Sequence, residues 1–414
     1  MSDLSHRKSQ KTIAVTDMNG MPVKNTKLRF TQQSHEFLFG CGGFDALAYI
    51  SMKDEEPKMI PELGKTVQEL MKDRTEKWLK LFNYATLPFY LGNFEPEEGK
   101  PNTEKLMNTA LYLKERGVAL KGHPLVWHTV CADWLMKYDN KTILEKLLGR
   151  IDREVGGFKG IIDKWDVINE VVIMPVFDKY DNAVTRVCNE YGQVGLVKKV
   201  FDEAKKMNPG AELLLNDFNT TVKYEELIER CLDAGVPITT IGIQSHQHQG
   251  YWGKAKIEDV LDRFGRFGLP IHFTENTITS GDYLVPSEIE DLNDFKVTAE
   301  QWPSTPKGEE RQCREIEEMY RTLFADPNVK GITTWDFADG AWLNAPCGFV
   351  RRDGSTKPSY DMLYDLIHKE WSTDTEVVTD ENGNAVLEGF KGGYTLSPVD
   401  KDIKLSPSSG CVTL

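Results

Sequence analysis

Two glutamates stand apart from the other acidic residues of this chain because of what precedes them. Glu170 follows Asn169 in the run Lys164 to Val171 (KWDVINEV), and Glu275 follows Phe273 and Thr274 in Pro270 to Asn276 (PIHFTEN). An acidic residue at the end of an apolar β-run is often a cap or an ion-pair partner. Two of them, surrounded by Trp, Asn, Gln and His, form a pair suited to acid–base work. Glycosidic cleavage needs such a pair: one carboxyl protonates the leaving oxygen while the other attacks or stabilises the oxocarbenium-like carbon. Neighbouring charges and hydrogen bonds then separate the two pKa values, leaving one group protonated and one ionised at neutral pH.

The elements that must position this pair follow from the alternation of short β-rich runs with segments of helical period, the pattern of βα units around a parallel sheet. Eight strands are expected at Phe37 to Gly42, Phe82 to Phe89, Ala119 to Trp127, Lys164 to Val171, Glu212 to Phe218, Thr239 to His246, Pro270 to Asn276 and Gly331 to Phe337. Segments such as Glu225 to Ala234 and Arg311 to Phe324 carry apolar residues three and four apart, as helices between strands do. The fold class expected is therefore α/β, a (β/α)8 barrel. Its strands end in polar or aromatic clusters: His123 and Trp127, Asn169 and Glu170, Asn216 and Asp217, Gln244 and His246, Glu275, Trp335 and Asp336. A barrel gathers all of these on one rim, where its active site lies.

Both ends of the chain read differently. Ile13 to Arg29 and Val377 to Leu396 are short alternating segments, each broken by an Asn-Gly turn. Neither is large enough to bury a core alone, so the expectation is one small β-module built from both termini. The domains expected are an N-terminal β-segment (1–35), the barrel (36–370) and a C-terminal β-segment (371–414). An acidic, Pro-containing insertion, Ser280 to Gly308, would overhang the rim and shape the cleft.

Composition narrows the partners. With 50 Lys+Arg against 64 Asp+Glu the net charge is −14, which argues against nucleic acid, whose phosphates require a basic stripe. No apolar stretch is long enough to span a bilayer, so no membrane partner is expected. The polar start, Met1 to Gln10, holds no apolar core of a leader, so the sequence as written reads as cytoplasmic, or secreted if a leader has been removed. The seven cysteines contain no CxxC pair and suit a reducing compartment.

Six runs together carry a family resemblance. GHPLVWH (Gly122 to His128), WDVINE (Trp165 to Glu170), LNDFN (Leu215 to Asn219), IGIQSH (Ile241 to His246), FTEN (Phe273 to Asn276) and TTWDFADGAW (Thr333 to Trp342), the last followed by KPSY (Lys357 to Tyr360), resemble glycoside hydrolase family 10 in content and order. The resemblance implies a (β/α)8 barrel, retention of anomeric configuration, hydrolysis of β-1,4-xylan or xylo-oligosaccharides, and no metal or other cofactor. It implies further that Glu170 is the general acid/base and Glu275 the nucleophile. Asn169 would hold the 2-hydroxyl of the sugar at the cut, and Gln244 and His246 would orient the nucleophile. His123 and Trp127 would form the floor of the site, and Trp335 and Trp342 the indoles over and beside the sugar. His246 and His248 also spell HxH, a metal-ligand spacing on a barrel strand, but such a site needs further His and Asp ligands on other strands.

The second strand departs from the family. Where the resemblance implies a Glu-Asn pair and then a Lys-Trp pair gripping sugars on the non-reducing side, this chain has Pro88 and Phe89, then Gly92. Phe89, Tyr90 and Phe94 are expected either to make an apolar platform or to fill the deeper subsites. The alternative is that Glu95 or Tyr90 replaces the missing contacts. A different β-linked glycan, short oligosaccharide or plant glycoside, or a non-catalytic carbohydrate-binding barrel, therefore stands beside the xylanase reading.

Overall fold

The computed structural model describes residues 3–399 and 403–414, which divide into two compact units. The larger, Phe39–Tyr360, holds a closed barrel of eight parallel strands in chain order: Leu38–Gly42, Tyr84–Pro88, Ala119–His123, Lys164–Asn169, Glu212–Asp217, Thr240–Gln247, Ile271–Ile278 and Val329–Thr334. These are called strands one to eight. Each corresponds to one of the expected runs. Strand three ends at His123 rather than Trp127, because Pro124 has no N–H to continue the ladder. The chain then re-pairs through Leu125 N–H to Asp166 O and Val126 N–H to Val167 O, so Trp127 still arrives at the rim beside strand four.

The helices between the strands have local reasons to start where they do. Val67–Leu81 opens on a capping box between Thr66 and Glu69, Asn140–Gly157 on Asp139 accepting from Thr142 N–H, and Pro306–Ala325 on Thr305 with Pro in the first turn. On Asn140–Gly157 the buried residues Ile143, Leu147, Ile151 and Val155 recur every four positions and form the stripe that faces the core. Between sheet and helices, Trp165 packs edge-on to Phe89 at 5.0 Å and to Phe158 at 6.3 Å. Its ring lies across the paired residue of strand three, Gly122, where a Cβ would come within 2.1 Å of the indole.

The smaller unit joins the chain up to Leu38 with the chain from Asp361 onward. Lys8–Ala14 pairs antiparallel with Asn384–Phe390, and a four-stranded sheet runs in the order Asp374–Val378, Lys27–Gln32, Gly393–Pro398, Cys411–Thr413. Each sheet therefore contains strands from both ends of the chain. Ile13, Val15, Val23, Leu28, Phe30, Ala385, Leu387, Tyr394 and Leu396 form the core of this unit. Both Asn-Gly turns are present, with Gly20 and Gly383 at φ 77° and 78°.

Gly122 marks the tightest point of the wall next to the site. Gly122→Ala is expected to cost about 1–3 kcal/mol by overpacking, read as a lower urea midpoint with an unchanged m-value.

Candidate active site

Glu170 sits one residue past strand four with φ 57°, a left-handed conformation that a side chain adopts only under constraint. Its N–H donates to Asn216 O (2.9 Å), while Asn169 N–H is held by Val126 O (2.9 Å). The carboxylate is held by three donors: Trp127 Nε1 at 2.8 Å, and Gln244 Nε2 and Asn169 Nδ2 each at 3.2 Å. Glu275, buried on strand seven, accepts from Asn216 Nδ2 at 2.8 Å and from His246 Nε2 at 3.1 Å, with His123 Nε2 3.8 Å away.

Uncharged amides tie the two carboxyls together. Asn169 Oδ1 accepts from Asn216 Nδ2 (2.8 Å) and from Gln244 Nε2 (3.1 Å), which fixes the amide so that its nitrogen faces Glu170. Asn216 is fixed in turn by Thr274, whose hydroxyl donates to its Oδ1 at 2.6 Å. Asn216 is thus a central residue of the site, which the sequence placed among the strand-end clusters of the rim without assigning it a role. Gly242 makes room for it, since a Cβ there would lie 2.5 Å from Asn216 Oδ1.

The histidines form two arms around Glu275. His123 Nδ1 lies 2.7 Å from Asp166 Oδ2, an oxygen also 2.6 Å from the fully buried Lys121 Nζ. His246 bonds Glu275 through Nε2 and reaches Thr277 Oγ1 through Nδ1 (3.4 Å); Thr277 Oγ1 lies 3.2 Å from His248 Nδ1. An ionised Glu275 only accepts, so Nε2 of His246 carries the proton. The HxH pair is engaged with Glu275 and Thr277, and among the described residues no group of His, Cys, Asp and Glu is arranged to hold a metal ion.

Aromatic rings close the walls. Trp335 packs edge-on to His123 (5.2 Å) and His246 (6.1 Å), and Trp342 covers His246 at 4.6 Å. Every candidate residue from the sequence therefore enters one connected cluster. Tyr90 joins it, with ring centroids 5.5 Å from His123 and 5.6 Å from Trp127.

The other second-strand expectations need correction. Phe89 is fully buried against Phe94, Phe158 and Trp165, and Phe94 is buried with it, so neither ring forms a platform in the cleft. Glu95 is buried too, paired with Arg153 at 2.5 Å and accepting from Gly99 N–H, so it does not replace the missing contacts. Gly92 lies close against the loop after strand three: its N–H donates to Val130 O at 2.7 Å, and a Cβ would lie 2.9 Å from that oxygen. Val130 itself takes φ 48°, rare for a β-branched residue.

The surroundings treat the two carboxyls oppositely. Burial, then the charges of Glu275 and Asp217, push Glu170 up to about 8 against the hydrogen bonds of Trp127 and Gln244. Burial alone would also raise Glu275, but His123, the bond from His246 and the charge of Lys121 outweigh it and hold this carboxyl below its ordinary value. Asp217 is raised to about 7 by burial, despite backbone N–H donors that include Val172 and Asn219. Near neutral pH the site thus holds one proton donor and one anion.

With that geometry in view, comparison with known proteins decides the family. The model of glycosyl hydrolase family 10 matches residues 90–366, most of the chain. The chain belongs to glycosyl hydrolase family 10. The family match begins at Tyr90, immediately after the divergent second strand. A β-1,4-xylanase of Dictyoglomus thermophilum is 29% identical over 64% of this chain and 72% of its own length. The anti-sigma-I factor RsgI6 of Acetivibrio thermocellus is 22% identical over 94% of this chain, which spans only 45% of that protein. A family 10 endoxylanase from a sugarcane soil metagenome superposes with a TM-score of 0.64 at 22% identity, over 80% of this chain and 97% of its own, a likeness of fold.

Two outcomes follow from the split carboxyls. With Glu170 required protonated and Glu275 ionised, kcat/KM is expected to hold across neutral pH and fall as pH rises through about 8, the value of Glu170. Folded Glu170 keeps its proton up to about 8, whereas an unfolded glutamate near 4.5 has lost it. Between those values the folded state binds more protons, so stability falls as pH rises. Glu170→Gln removes that loss, and its Tm advantage over the wild type is expected to grow from about pH 5 to about pH 8 in thermal scans.

Proposed function

We propose that this family 10 enzyme hydrolyses β-1,4-xylosidic bonds in xylan or xylo-oligosaccharides, with Glu170 as acid/base and Glu275 as nucleophile. The observation that supports this most is the pair of carboxyls held in opposite protonation states within one network of amides. In the first step Glu275 attacks the anomeric carbon while Glu170 gives its proton to the departing oxygen. In the second, Glu170, now ionised, takes a proton from water as the water attacks the glycosyl-enzyme ester, and Glu275 leaves. Loss of the covalent bond returns a negative charge to Glu275, where His123 and His246 stand. Asn169, its Oδ1 already occupied by two donors and its Nδ2 beside Glu170, has only N–H to offer a sugar hydroxyl, a bond that would tighten in the transition state.

A second reading, the same chemistry on a short β-linked glycoside, rests on the second strand. There Gly92 and the Val130 carbonyl stand where a charged grip on further sugars is expected, so selectivity for a long glycone is weakened.

The test is incubation of wild type and Glu275→Ala with xylohexaose and an aryl β-xylobioside, followed by chromatography and by NMR of the first-formed anomer. The wild type is expected to release xylo-oligomers as the β-anomer, and the variant to lose about 10⁴-fold or more in turnover. Release of the α-anomer first, or equal turnover by the variant, would exclude the assignment.

A further inference from the structure

The insertion after strand seven leaves the rim and returns to the same point. Thr305 N–H donates to Ser280 O (3.1 Å), Ser280 Oγ meets Ser304 Oγ at 2.7 Å, and a Cβ on Gly308 would collide with Ser280 O. Lys357 Nζ, itself paired with Asp339, anchors the base by donating to Ser280 Oγ at 2.8 Å. Between these ends the segment carries its own apolar centre: Val285 and Trp302 pack with Ala345 and Cys347, and Ile289, Leu292, Phe295 and Val297 lie against them. It is a built lobe, closed at its base in the manner of an Ω-loop.

Its contacts locate it over the mouth of the barrel. Gln249, after strand six, donates to Pro286 O and Ile289 O, both at 2.8 Å. Lys179, after strand four, pairs with Asp291 and Asp294, both at 2.6 Å. Asn344, after strand eight, donates to Val297 O at 3.0 Å. Strands four and eight are opposite staves of an eight-stranded barrel. Asp294 and Val297 are separated by at most about 11 Å of extended chain. The lobe therefore joins loops that rise from opposite sides of the rim.

Chemistry says which side of the cleft this is. If Glu170 protonates the leaving oxygen, as in the reading above, the leaving group departs past the chain that follows Glu170, and Lys179 lies on that chain. Tyr180, beside the clasp, has its hydroxyl raised by burial and by a set of charges that includes both Asp291 and Glu170, so a single side chain lies within the fields of the lobe tip and the acid.

We propose that residues 280–305 close the leaving-group side of the cleft, clasped by Lys179 to Asp291 and Asp294, so that the enzyme accepts only short leaving groups. Its substrates are then short oligosaccharides, or chain ends presented with one or two sugars beyond the cut, rather than the interior of a polymer. This rests on the cleavage of β-1,4-xylosidic bonds proposed above and deepens it.

The experiment is digestion of xylohexaose labelled at its reducing end, by the wild type, Lys179→Ala and the double variant Asp291→Asn/Asp294→Asn, with an aryl β-xylobioside run in parallel. The wild type is expected to release the label on xylose or xylobiose. Both variants are expected to raise labelled fragments of three or more sugars at least fivefold, while aryl turnover, which needs only one ring beyond the cut, stays within twofold. Labelled fragments of three or more sugars dominating in the wild type would overturn the closure. A short-fragment pattern unchanged in both variants would overturn the clasp. Failure to turn over the aryl substrate in the wild type would instead count against the xylosidic chemistry itself.

Discussion

Two carboxyls buried in one pocket would ordinarily both be driven toward the neutral acid, and the site depends on preventing this for only one of them. Desolvation raises Glu170 and Glu275 alike. What separates them is where the positive charge lies. Lys121, on strand three, is fully buried against Asp166, and the same Asp166 oxygen holds His123, whose other nitrogen faces Glu275. On the opposite arm His246 donates directly to Glu275. Glu170 instead faces the negative charges of Glu275 and Asp217. A buried ion pair is a poor source of stability, because desolvation opposes its attraction. Here the Lys121–Asp166 pair does something else: it keeps the floor beneath Glu275 from adding an uncompensated negative charge, and it directs His123.

The amides complete what the charges begin. Asn169, Asn216 and Gln244 carry no net charge; their N–H groups connect the carboxyls, and the bond from Gln244 lowers Glu170 without overcoming the effect of burial and neighbouring anions. Each is committed by counting donors and acceptors: Asn216 Nδ2 gives to Asn169 and Glu275, and Thr274 satisfies its oxygen. The left-handed backbone of Glu170 costs about 1–3 kcal/mol as strain. It persists because Asn216 O holds its N–H while Trp127 and Gln244 hold its carboxyl. Strand five thus supplies both a backbone acceptor for Glu170 and a side-chain donor for Glu275, and strand positions in a closed barrel are rigid enough to keep the two in register.

The barrel was legible because each strand is an apolar run that stops at a polar cluster, and the site because those clusters share a rim. Strand ends were less so: Trp127 looked continuous with strand three until Pro124 interrupted the ladder. Asn216 sat in a recognised motif, yet nothing in its type marks an amide that bonds both sides of a cleft. Phe89 was misplaced because a residue after Pro88 at a strand end can face either way, and only Trp165 and Phe158 on the helix side settle it. The pairing of the two termini was legible from alternation and Asn-Gly turns. The reach of the insertion was not, since Lys179 and Asp291 are far apart in sequence and no local pattern records their meeting.

Two packed segments adjoin the strands that carry this network, one after strand two and one after strand seven. In one, Gly92 N–H donates to the Val130 carbonyl so closely that a Cβ would lie 2.9 Å from it, and Val130 takes φ 48°. In the other, the lobe is seated by its own apolar centre and by Lys179. The carboxyl network is dense with mutually committed hydrogen bonds, whereas these two segments are held by backbone contacts, packed apolar side chains and the Lys179 ion pairs. Backbone and packing restrict by shape, and they do so whether or not a sugar is present. Binding energy for a long chain would come from many separate grips along its length. In the proposed mechanism, selectivity resides in the transition state at the cut, through Asn169 and the histidine arms, more than in the extent of the chain bound.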